Sequence, residues 1–168
     1  MRKLRFVLLL TGFLALLMII AQPLEAGSSI RVSGKSTYVP TVKEAREDGC
    51  TTVLTTEEAA VWDGSFVGDS KEEATIFIHC SGKWSFGAIG SFEEVTVDGK
   101  TGSMVLFFSG SRPNENTDWL GKWEIVEGTG ELENLRGRGL FWGPGAPGPG
   151  EEGDIYYSGR IYFKPGKK

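Results

Sequence analysis

Beyond residue 30, apolar and polar residues alternate in short runs broken by Gly, Asp, Asn and Pro clusters. In ATIFIHC, Thr75, Phe77 and His79 fall on one face, with Ile76, Ile78 and Cys80 on the other. In WSFGAIGSF, Trp84, Phe86, Ala88, Gly90 and Phe92 share a face. SMVLFFS is apolar on both faces, which predicts a strand covered on both sides. The pattern predicts strands at Ile30–Val39, Thr51–Thr56, Ala59–Val67, Glu73–Cys80 and Lys83–Val95. More follow at Gly102–Ser111, Trp119–Val126, Leu135–Trp142 and Ile155–Phe163. Only VKEAREDG, Val42 to Gly49, offers a turn or two of helix. Asp98-Gly99 supplies a hairpin turn that needs positive φ at both central positions. Eight or nine antiparallel strands suggest a barrel or a sandwich, and the glycines inside GKWSFGAIG favour the curvature of a closed barrel.

The first 26 residues follow another pattern. Arg2, Lys3 and Arg5 precede a 15-residue apolar run from Phe6 to Ile20, then AQPLEA ends on Ala26. That is the layout of a cleaved secretory signal, shorter than the roughly 17–25 apolar residues of a membrane span. An uncleaved anchor is the alternative. Cleavage leaves a single domain at residues 27–168, secreted or periplasmic, with no stable membrane span. Within it, Gly143 to Asp154 (GPGAPGPGEEGD) is a Pro/Gly-rich loop, read either as a plain connection or as a lid over a barrel mouth.

Charge and cysteine content narrow the partners. Residues 1–26 hold three of the 18 basic residues and one of the 22 acids, so the remainder carries a net charge of −6. Without a basic stripe, nucleic acid is disfavoured. Cys50 and Cys80 in an exported chain suggest one disulfide, closing a loop of about 30 residues worth roughly 3–4 kcal/mol. Two buried thiols are the other reading.

Little in the chain resembles known site chemistry. EGTGELENLRGRGLFWG, residues 127–143, places Glu133 where a dinucleotide fingerprint needs its third glycine, and no helix follows. With His79 alone, neither a two-histidine metal site nor a His-paired triad can be assembled, and no metal or cofactor is expected. Glu57-Glu58, Glu72-Glu73, Glu93-Glu94 and Glu151-Glu152 are adjacent acids, which commonly form a solvated edge. Glu93 and Glu94 end an apolar strand, so one of them facing a barrel interior becomes the candidate general acid. Trp62, Trp84 and Trp123 are the candidate ligand-binding residues, from an aromatic set that either fills or lines the interior.

A resemblance rests on three elements: Trp62-Asp63, the turn from Val97 to Ser103, and the block from Trp123 to Gly137. Over roughly residues 58–163 the chain resembles the bacterial family numbered 3224 among the domains of unknown function. The resemblance implies an eight-stranded antiparallel barrel of the allene oxide cyclase-like type, distantly similar to plant allene oxide cyclases and dirigent proteins. It implies no catalytic residues. Three readings follow: a barrel binding a small apolar or amphipathic molecule, an isomerase or cyclase acting by confinement, and a structural or interaction module with a filled core. The first predicts a cavity of roughly 300 Å3 or more, and the second an interior carboxylate of raised pKa.

Overall fold

A computed structural model describes residues 28–165. The proposed signal segment, residues 1–26, lies outside the described residues. Eight antiparallel strands run in chain order: β1 Ile30–Asp48, β2 Thr51–Gly64, β3 Phe66–Ile78, β4 Trp84–Val97, β5 Lys100–Arg112, β6 Trp119–Gly128, β7 Leu135–Gly145 and β8 Gly153–Phe163. Each pairs with the next, and β1 pairs with β8, so the sheet closes into a barrel. Closure satisfies both edges that an open sheet would leave unpaired.

Strand alternation sorts side chains as the sequence predicted on β4, where Ala88, Gly90 and Phe92 are buried and Ile89 and Ser91 are exposed. Three expectations need correction. VKEAREDG is not helical but continues β1, paired with residues 51–56 of β2 in an arm whose outer residues are exposed. The segment predicted to end at Thr56 and the one predicted over Ala59–Val67 join into one strand as far as Gly64, because Glu57 and Glu58 keep the ladder going opposite Glu73 and Glu72, and Phe66 and Val67 already belong to β3. SMVLFFS is covered on one side only. Met104, Leu106 and Phe108 point inward, while Phe107 lies outside opposite Ile89, since a single-walled barrel has no second layer.

The turns match their sequence chemistry. Asp98 and Gly99 adopt φ of 53° and 73° between β4 and β5. The glycine-rich block leaves β6 through a single 3-10 turn at Gly130–Leu132 and re-enters at β7, with Leu132 fully buried. A Cβ at Gly128 would collide with the Leu132 carbonyl, so glycine permits this corner to fold against itself. Cys50 and Cys80 form a disulfide with Cα atoms 5.3 Å apart. It joins the tip of the β1–β2 arm to the turn after β3. His79 is half-buried, with Nε2 2.8 Å from Ser85 Oγ. Among the described residues, no helix is long and apolar enough to cross a membrane.

Candidate functional site

The barrel is packed in one half and hollow in the other, and large aromatics decide which. In the packed half the Phe66 and Tyr157 rings stack with centroids 5.0 Å apart, while Trp123 meets Phe66 edge-on at 5.5 Å. Tyr157 Oη accepts the Phe66 N–H at 2.8 Å and donates to the Asp63 carbonyl at 3.2 Å, so the ring is pinned at its polar end. The Trp123 indole occupies the space above Gly139 and Gly159, where any Cβ would strike it. Above Trp62 the wall side chains recede, leaving a cavity of about 190 Å3. Phe86, Phe108, Phe141, Trp84 and Trp119 form much of its wall. This volume is below the 300 Å3 expected for a drug-sized ligand, though a cavity of about 150 Å3 holds benzene.

Residues 146–149 of the Pro/Gly-rich loop line part of the cavity, which stays partly open. β7 runs on through Gly145 and β8 starts at Gly153, which shortens the free loop to residues 146–152. Two bonds to β1 hold it: Gly150 N–H donates to the Pro40 carbonyl at 2.8 Å, and Ala146 N–H to Tyr38 Oη at 3.1 Å. The lid reading of this loop thus has a geometric basis.

Four ionisable side chains reach the cavity. Glu58 and Glu72 lie directly opposite each other on β2 and β3, both turned inward. Facing Cβ atoms in such a pair sit about 4.5–5.5 Å apart. Thr56 Oγ1 donates to Glu58 at 2.9 Å; Ser70 Oγ accepts from Trp62 Nε1 at 2.9 Å and donates to Glu72 at 2.9 Å. Burial is the main cause that raises the Glu72 pKa to about 7, with the Glu58 charge adding to it. Burial likewise raises Glu58. Like charges on facing positions oppose ionisation, and the effect is felt at Glu72. Gly90 opens the space for this arrangement: a Cβ there would stand 3.3 Å from Glu72 Cγ. Tyr38 is pushed up to about 12 by burial first and by Glu58 next. Arg112, at the end of β5, lies under the Trp84 and Trp119 rings, its Cζ 4.1 and 4.6 Å from their centroids.

Of the aromatics singled out by sequence, Trp62 and Trp84 line the cavity, whereas Trp123 is 2% exposed within the packed half. Glu93 and Glu94 do not face the interior. Both are exposed, and Glu93 pairs with Lys71 at 3.1 Å on the outer surface. The cause is a bulge: Phe92 pairs with Met104 and Val95 with Gly102, so the extra residue breaks alternation and turns both acids outward. Sequence reasoning missed Glu58, Glu72, Tyr38 and Arg112. A signal existed in parity, because Glu58 shares its register with Trp62, and Glu72 with Ile76. Reading the adjacent acids as a solvated edge concealed it.

The family model described as "Protein of unknown function (DUF3224)" matches residues 35–142. The chain belongs to the DUF3224 family. A crystal structure of a DUF3224 protein with unknown function from Shewanella oneidensis MR-1 superposes with a TM-score of 0.64 at 21% identity, covering 83% of this chain and all of that one. At that identity the likeness speaks for the fold alone. No curated protein matches. The strands that carry most of the cavity, β2 to β6, fall inside the matched DUF3224 span, while the lid residues 146–149 lie beyond it.

Proposed function

We propose that this DUF3224 protein is an exported barrel that binds a small, ring-sized apolar or amphipathic molecule in its hollow half. The carrying observation is the aromatic-walled cavity of about 190 Å3 beneath a strapped Pro/Gly loop. Cavities of this kind, mostly apolar with a few convergent polar groups, are the usual form of small-molecule sites. The disulfide and the N-terminal basic–apolar pattern support export. Affinity for a one- or two-ring compound should fall at roughly 10 µM to 1 mM. Titration with toluene and indole, read by tryptophan fluorescence and calorimetry, tests this. Ala88→Leu, which fills the cavity from β4, should abolish binding while leaving the circular dichroism spectrum intact. Absence of binding by the unmodified protein at millimolar ligand, or full binding by the Ala88→Leu protein, would overturn the reading.

A second reading, an isomerase working by confinement, draws support from the Glu58–Glu72 pair. A carboxyl that holds its proton near neutral pH can act as a general acid inside a partly enclosed cavity.

A further inference from the structure

Arg112 is an unusual wall for an apolar cavity. It is only 7% exposed, and its Nε is buried without an acceptor. Nη1 donates to the Glu115 carbonyl at 3.2 Å, and among the described residues no carboxylate forms a salt bridge with it. Two indole faces hold the guanidinium in place, so the planar fork is ordered before any acceptor arrives. A buried donor left unmade is costly, and a guanidinium matches a carboxylate through two parallel bonds. The cavity carries carboxylates of its own, yet Glu58 and Glu72 are bonded to Thr56 and Ser70 instead of Arg112.

We propose that Arg112 is an anchor for the carboxylate of the bound molecule, so that the ligand is a flat, ring-sized acid whose body lies against the aromatic wall. This rests on the cavity being a binding site. The charged and titratable groups around such a ligand are Tyr38 from β1, Glu58 from β2, Glu72 from β3 and Glu115 from the loop after β5. Of these, Glu58 and Glu72 repel a carboxylate once they are ionised. Binding of an acid should therefore strengthen as pH falls from 8 to 6.

Benzoate, toluene and benzylamine serve as probes of matched size, measured by calorimetry on the full-length mature protein. Benzoate should bind at least about tenfold more tightly than toluene at pH 6, and several-fold more tightly there than at pH 8. Arg112→Gln should remove the benzoate advantage, so that benzoate and toluene, both measured on the variant, bind with similar affinity. Glu72→Gln provides a check independent of the arginine: it should raise benzoate affinity at pH 8 and flatten the pH dependence. Equal affinities for benzoate and toluene in the unmodified protein, or benzoate bound undiminished by the Arg112→Gln protein, would overturn the anchor while the cavity reading stands. A preference for benzylamine would also overturn it, pointing to the acid pair as the recognition element. Failure of all three probes to bind would overturn both.

Discussion

Glu72 carries a cost that the rest of the barrel must offset. Its carboxyl titrates near 4.5 when unfolded and at about 7 when folded, so between those values the folded state holds more protons. Stability then declines as pH rises through that window, and the full penalty applies above it. Glu58 shifts in the same direction. Glu72→Gln should remove most of the slope and stabilise the protein at pH 8 by up to about 3 kcal/mol, with little change at pH 4. Urea unfolding at pH 4, 6 and 8 measures it; wild-type stability that does not fall between pH 5 and 8 would contradict the assignment. Perturbed carboxyls in a cleft are common at functional sites, as the proposed ligand cavity would be. Residue types alone did not reveal this, because Glu57-Glu58 and Glu93-Glu94 look alike in sequence. What separates them is an unbroken ladder at the first pair and a bulge at the second.

Among the elements, the segment between β7 and β8 depends on its anchors more than on its composition. Proline and glycine made Gly143–Asp154 look free, yet its Gly150 and Ala146 N–H groups donate to the Pro40 carbonyl and to Tyr38 Oη and hold it against β1. Tyr38→Phe deletes the acceptor for the Ala146 N–H and keeps the ring. A hydrogen bond of about 1 kcal/mol implies roughly fivefold faster amide exchange at Ala146, with a similar increase in ligand dissociation rate. Hydrogen exchange by NMR reads the first effect, and unaltered exchange would mean that Tyr38 does not hold the strap. The β1–β2 arm makes a related point. Its charged sequence, KEARED, favours a short helix locally, but pairing with β2 supplies backbone donors and acceptors with partners across the arm.

For the molecule as a whole, closure of the sheet and the disulfide act on different states. Pairing of β1 with β8 completes the folded ladder, whereas the Cys50–Cys80 bond mainly restricts the unfolded chain. Replacing both cysteines by serine should cost roughly 3–4 kcal/mol and lower Tm by about 10 °C. Scanning calorimetry of the serine variant checks this, and a shift under about 2 °C would show that the bond adds little constraint. The barrel topology, the Asp98-Gly99 turn, the glycine corner at residues 128–137 and the disulfide were legible in the sequence. Each depends on local alternation, on backbone conformations few residues accept, or on an even cysteine count. The hollow was not legible. That Trp123 fills space depends on glycines from other strands, Gly139 and Gly159, over which its indole lies. The sequence by itself determined which faces are apolar and where the chain turns, since both are set by neighbours one to four residues away. Only the tertiary structure decided that Glu58, Glu72, Tyr38 and Arg112 converge, because strand register and one bulge choose the side of the wall on which each charge lies.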